Sequence, residues 1–158
     1  MKNVLTYPNP ILNQKCEEVK LPLSKEDAEL LKEMYAFVKD PVNHAVGLAA
    51  PQVGVLKRMF VVFNKHADGT VLNLKMVNPR IIKNTTEIYN VPGGEGCLSE
   101  PDTQVIVNRC KVITLIGYEA ISGKTIALKF KGYEAAVIQH ELDHLNGILL
   151  HDHQKGGK

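Results

Sequence analysis

The stretch VIQHELDHLNG, residues 137–147, decides how the rest of the chain is read. His140 and His144 stand four residues apart, and Glu141 directly follows the first of them. On a helix, positions i and i+4 share a face, so both imidazoles can grip one metal ion. Extending the helix back to Tyr133 produces two stripes. Ile138, Leu142 and Leu145, with Leu149 beyond, form an apolar stripe suited to a core. Tyr133, Ala136, Val137, His140, Glu141 and His144 form the other, apolar at its start and ionisable at its end. Gly147 is placed to cap the helix. Three uses fit this pattern: a hydrolytic centre, a structural metal clip, or a core helix with hydrogen-bonded histidines.

The bulk of the chain narrows the setting. Its 158 residues suit one compact domain with a sizeable core. A net charge of +2, with acids and bases interspersed, lacks the basic footprint of a nucleic-acid binder. Cys16, Cys97 and Cys110 are an odd number at irregular spacing, which argues against a disulfide framework and for a reducing compartment. The first twenty residues resemble neither a secretory signal nor an Arg-rich transit peptide, and no segment is apolar enough to span a membrane. A cytoplasmic protein is expected.

Elements follow from spacing and punctuation. Ser24 caps a helix whose apolar face is Leu30, Leu31, Met34, Phe37 and Val38; Asp27 suggests a capping box and Pro41 ends the run. VNHAVGLAAPQVGV reads as a loop, as does NVPGGEGCLSEPD. RMFVVFN is a strand, and NLKMVNPRIIKN is a second one interrupted by Pro79. QVIVNRCKVITLIGYEA and TIALKFK pair around the SGK turn. The expectation is an α+β fold: mostly antiparallel sheets packed around the C-terminal metal-binding helix, with an N-terminal helix. Residues 1–158 are expected to form a single domain, with 151–158 as a frayed polar tail.

Two histidines make an incomplete site, because catalytic zinc-type centres use three protein ligands and leave one position open. Cys16, Cys97, Cys110, His44, His66, His151 and His153 are the available thiols and imidazoles. Cys97 is the best placed, since the glycines of GGEGCLSEP let the backbone curl around an ion.

Three segments now stand together: AVGLAAPQ (45–52), EGCLS (95–99) and QHELDH (139–144). In this order and at these separations they resemble the three signature motifs of the peptide deformylase family. The resemblance covers nearly the whole chain. KMVNPRI, GGEGCLS and KGYEAAVIQHELDHLNGILLHDH look closest to the type found in Gram-positive bacteria and mollicutes. The sequence departs from the family pattern at Ala45, where Gly is usual, and at Glu100, where an aliphatic residue is usual. Gln104 falls near a position often taken by Arg. Glu100 and Gln104 bear on side-chain preference rather than on the metal centre.

The resemblance implies hydrolytic removal of the formyl group from N-formylmethionine at the start of new polypeptides, releasing formate. Cys97, His140 and His144 would ligate one divalent ion, Fe(II) physiologically, with Zn, Ni or Co in purified protein. Glu141 would be the general base, with the Gln52 amide and the Leu98 N–H as oxyanion donors. The Gly47 backbone would position the substrate, and Val46, Tyr133, Ala136 and Val137 would line the methionine pocket. Glu95 and Arg109 would form an ion pair bracing the Cys97 loop. Nascent formylated polypeptides are the implied partners, at the ribosome surface, with no specific nucleic-acid sequence and no membrane. Two other readings compete. One is a metallopeptidase acting on internal bonds; the other is a structural metal module, which needs Cys110 or a tail histidine as fourth ligand.

Overall fold

The computed structural model describes residues 1–156. Its elements are α1 (Lys25–Lys39), β1 (Gly47–Ala49), β2 (Met59–Lys65), β3 (Val71–Asn84), β4 (Ile88–Tyr89), β5 (Glu95–Cys97), β6 (Glu100–Val105), β7 (Arg109–Cys110), β8 (Val112–Glu119), β9 (Lys124–Lys131), α2 (Gly132–Leu145) and α3 (Leu150–Gly156). A five-stranded sheet runs in the order β1-β2-β3-β8-β9, with β1 at one edge and every pair antiparallel. Two small antiparallel pairs, β4-β7 and β5-β6, complete the architecture. The expected α+β class with antiparallel sheets and a C-terminal helix is what the chain forms.

The sheet is covered on both faces, and β2 shows why. Its side chains alternate between faces. Met59 and Val61 join Leu31, Met34 and Val38 of α1, whereas Phe60 and Val62 join Ala135, Ile138, Leu142 and Leu145 of α2. A strand buried on both faces reads as an unbroken apolar run, which is how MFVVF appears in the sequence. The α2 stripe of Ile138, Leu142 and Leu145 is buried as its spacing requires.

Local chemistry sets the boundaries. The Ser24 hydroxyl accepts the Asp27 N–H at 3.1 Å and starts α1. The Asp27 carboxylate turns away from a capping box and accepts from Lys57 Nζ at 2.7 Å. Pro79 does not end its strand. β3 runs through it with a register shift between Val77 and Arg80. Asn78 takes φ 51° there, and its side chain exchanges hydrogen bonds with both backbone groups of Val19. The neighbouring strand supplies Gly117, where a Cβ would lie 2.7 Å from Met76 Cε and 3.2 Å from the Pro79 backbone.

Three expectations need correction. VNHAVGLAAPQVGV is not all loop: its middle is β1 followed by a 3₁₀ turn over Ala50–Val53. The stretch around GGEGCLS is the β5-β6 hairpin. The expected frayed tail is helical over 150–156, because Leu150 is buried and the Glu100 carboxylate accepts the Leu150 N–H at 2.7 Å. Residues 157–158 of that tail lie outside the described residues.

Candidate metal centre

α2 presents His140 and His144 one turn apart, with ring centroids separated by 5.0 Å. The β5-β6 hairpin brings Cys97 to them, its Sγ 3.4 Å from His144 Nε2. One ligand atom from each of Cys97, His140 and His144 lies within 4.8 Å of the others. Among the described residues, no other three His, Cys, Asp or Glu side chains meet that condition. The hairpin closes because Gly94 has φ 90° and leaves room for Val105, whose carbonyl carbon and oxygen would each be 3.2 Å from a Cβ.

A chain of charged groups fixes the cluster from behind. The Arg109 guanidinium donates to both Glu95 oxygens, Nε at 2.9 Å and Nη2 at 2.7 Å, and from Nη1 to Asp143 at 2.6 Å. Glu95 in turn faces His140 Nδ1 at 3.0 Å. Burial would raise the Glu95 carboxyl, but hydrogen bonds from His140 and Arg109 outweigh it and hold the group down at about 2. A carboxylate accepting from Nδ1 leaves the Nε2 lone pair of His140 for an ion. Burial opposes charge on His140 too, but hydrogen bonds with Cys97 and Glu95 outweigh it and favour the protonated ring wherever no ion takes the Nε2 position. His144 goes the other way: burial, above all, holds it well below the usual imidazole range, which favours the neutral, ligating form.

In front of the cluster lies a cavity of about 490 Å³. Val46, Gly47, Gln52, Leu98, Tyr133, Ala136, Val137 and Glu141 all line it, so the residues expected for catalysis and for the pocket face one space. Tyr133 is 40% exposed and stands at the mouth, whereas Ala136 is buried. Gln52 is held at both ends of its amide. Its Oε1 accepts the Ala49 N–H at 3.0 Å; its Nε2 donates to Ser99 Oγ at 3.1 Å and points at Cys97 Sγ, 3.7 Å away. Glu141 is 4% exposed, and burial pushes its carboxyl up to about 7. Its carboxylate lies over Gly47, where a Cβ would sit 2.9 Å from Glu141 Cδ.

The departures from the family pattern fall in instructive places. Positive φ among the described non-glycine residues occurs at His44 and Asn78, so Ala45 carries no left-handed strain. Glu100 is not a wall of the cavity; it binds the backbone of Leu150 and His151. Several participants were not expected. Ser99 anchors the Gln52 amide, Asp143 completes the Arg109 fork, and His44, Val91 and Pro101 add to the cavity wall. Asp143 carried a signal, lying one residue before His144 on the metal-bearing helix; Val91 and Pro101 carried none.

One thiol and two imidazoles form a donor set suited to a borderline-soft divalent ion. The fit has a second mark. Glu141 Oε1 is buried and has no hydrogen-bond partner among the described residues, so a carboxylate oxygen beside the ligand cluster is free to take a proton. Among the described residues, no fourth His, Cys, Asp or Glu side chain joins the cluster. Cys110 is engaged by Asn84, His151 by Glu100, and His153 by Asp143. The core-histidine reading also fits poorly, because His144 Nδ1 is buried with no partner among the described residues.

The sequence profile of the polypeptide deformylase family matches residues 1–158. Peptide deformylase 2 of Bacillus cereus is 43% identical across 97% of this chain and 89% of its own length. The peptide deformylase of Shouchella clausii is 36% identical across 99% of this chain and 91% of its own length. A probable peptide deformylase from Synechococcus phage S-SSM7 superposes with a TM-score of 0.85 at 37% identity, over 97% of this chain and 99% of that one. A Met-Ala-Ser-bound class I type b peptide deformylase from Acinetobacter baumannii gives 0.83 at 31% identity, over 97% and 98%. With the Cys97, His140 and His144 cluster, the Glu141 carboxylate and the cavity before them, these likenesses lead to one conclusion: the chain belongs to the peptide deformylase family.

Proposed function

We propose that residues 1–158 act as one metallohydrolase domain that removes the N-formyl group from formylmethionine at the start of new polypeptides, releasing formate. The observation that carries this reading is the ligand cluster of Cys97, His140 and His144 beside a buried carboxylate with a free oxygen, Glu141. The chemistry a divalent ion supplies at such a site is acidification of water and polarisation of a carbonyl oxygen. Fe(II) is the ion we assign, on the family likeness; the same donor set accommodates Zn, Ni or Co.

Every other step falls to side chains and backbone. Glu141 takes the proton from the attacking water and passes it to the leaving amine. The Gln52 Nε2 and the Leu98 N–H donate to the oxygen that becomes negative as the formyl carbon turns tetrahedral. The amide clamp on Gln52 supports this, since it aims Nε2 without reorganisation. Among the described residues β1 pairs with β2 alone, and the Val46 carbonyl is taken by the Phe63 N–H, so the Gly47 backbone is the part of the other edge available to an extended peptide. Val46, Tyr133, Ala136 and Val137 receive the methionine side chain. A chain led by methionine is also what the Acinetobacter baumannii relative holds, in its Met-Ala-Ser-bound form.

Glu95 and Arg109 hold the His140 ring in its ligating orientation. The Glu95→Gln variant keeps the shape but leaves Arg109 short of a buried counter-charge. We expect it to lose metal about 10–100-fold more readily and to unfold about 3 kcal/mol earlier in a denaturant titration. Unchanged metal retention and activity would remove both residues from the site's machinery.

No described helix is long and apolar enough to cross a membrane. We place the reaction in the bacterial cytoplasm, at the ribosome surface where nascent chains emerge. The three free cysteines, one of them in the ligand cluster, suit a reducing compartment. The deciding experiment is formate release from a formyl-methionyl tripeptide by metal-replete protein. Peptide fragments whose methionine still carries its formyl group, in place of formate, would favour the metallopeptidase reading. Stable metal with release of neither formate nor peptide fragments would favour a structural site.

A further inference from the structure

α3 touches both arms of the ligand set. Cys97 and Glu100 are partners across the β5-β6 hairpin. Glu100 is 4% exposed, yet its carboxylate is engaged throughout: Oε1 accepts the Leu150 N–H at 2.7 Å, and Oε2 meets the His151 N–H at 3.3 Å and His151 Nδ1 at 3.2 Å. Leu150 packs with Val105 and Val107 against Cys97. On the other side, His153 Nε2 lies 2.8 Å from Asp143 Oδ2, the oxygen that accepts from Arg109. Asp143 immediately precedes His144 on α2. One short helix therefore joins the hairpin that carries Cys97 to the helix that carries both histidines. Tyr7 adds a third tie, its ring centroid 4.3 Å from that of His151 and its N–H donating to the Ser99 carbonyl.

Burying a carboxylate costs free energy unless donors compensate it, so Glu100 is a poor choice for mere space-filling. It makes sense as a fastening. A site whose ligands come from two separate elements holds an ion only while those elements keep their spacing.

We propose that α3 is a brace for the metal site, and that Glu100 and His153 are positioning residues which set how long the ion is held. The inference rests on the metal-centre reading above. Removing a partner that directly orients a ligand costs about 10–100-fold in metal affinity. Glu100 and His153 act one connection further out, so their effects fall at or below the lower end of that range.

The test follows metal loss from the full-length chain loaded with Co(II), mixed with excess chelator, and read by the visible absorption of the cobalt–thiolate site. Glu100→Ala is expected to release cobalt about tenfold faster than wild type, and His153→Ala about threefold faster. His153→Gln restores slow release, because an amide N–H can still donate to Asp143. His66→Ala removes a contact to Glu134 at the far end of α2 and should release at the wild-type rate. Wild-type release from folded Glu100→Ala and His153→Ala overturns the brace, and so does equal acceleration in His66→Ala. Should Glu100→Ala not fold, the two His153 variants decide. A wild-type chain that holds cobalt while Cys97→Ala does not leaves the metal centre standing whatever α3 does. A wild-type chain that takes up no cobalt ends both readings.

Discussion

The Glu141→Gln variant should retain its metal and lose nearly all deformylation. General acid–base catalysis contributes about 10²–10⁴ in rate, which is up to about 5 kcal/mol of barrier. We expect the upper part of that range, because among the described residues Glu141 is the one cavity carboxylate with a buried free oxygen. The substitution is nearly isosteric, so the α2 packing and the ligand cluster should survive. pH dependence supplies a second signature. The base must be ionised to accept a proton, and burial pushes Glu141 up to about 7. A cation beside it favours the carboxylate and pulls that value back down. kcat/KM should therefore rise with pH along an acidic limb centred at or below 7 in the wild type, and this limb should vanish in Glu141→Gln. Formate release measured across pH, with metal content determined in parallel, checks both statements. Residual activity within tenfold of wild type would assign the base elsewhere.

Gly47→Ala should be nearly as damaging, for a reason of space alone. Gly47 is not in the left-handed region, so alanine meets no backbone penalty there. Its Cβ, however, would stand 2.9 Å from Glu141 Cδ and closer still to Oε2. The flanking Leu48 is fully buried and α2 is packed on the sheet, so neither backbone can retreat. The carboxylate must swing away. A misplacement of about 1 Å can cost about 10²-fold in rate, and that is the loss we expect, with metal content and thermal stability close to wild type. A crystal structure of the variant should show Glu141 in a new rotamer. Wild-type turnover with the carboxylate unmoved would refute the argument.

The contrast with Glu95→Gln is useful. Glu95 acts through His140, so its loss appears first in metal retention. A Cβ at Gly47 would meet Glu141 before anything else, so the effect of Gly47→Ala appears in turnover of a fully loaded protein. Comparing the two separates the parts of the site that hold the ion from the part that moves the proton.

Much of this site was legible before any coordinates. His140 and His144 announce themselves by helical spacing, and the glycines around Cys97 mark a backbone that can fold tightly. The double stripe on α2 was readable for the same reason: one periodicity encodes both core and cavity. What escaped reading depends on contacts between distant segments. Glu100 looks like a solvent or specificity residue until the chain returns fifty positions later to use it as a cap. The polar run after Leu149 has little reason to be helical by itself, and only that long-range cap and the burial of Leu150 make it so. β1 reads as loop because three small or aliphatic residues so close to a proline carry too little alternation to signal a strand. Asp143 was visible in the motif, but its role depends on where Arg109 arrives from β7.

The lone-sided pairing of β1 bears on how general such an enzyme can be. Amide groups along a strand edge are the same in every polypeptide, so whatever lies there is held without regard to the identity of its residues. On the function proposed above, discrimination falls to the methionine pocket and to the site of the formyl group. A catalyst built this way reads only the beginning shared by all its clients and is indifferent to the message that follows.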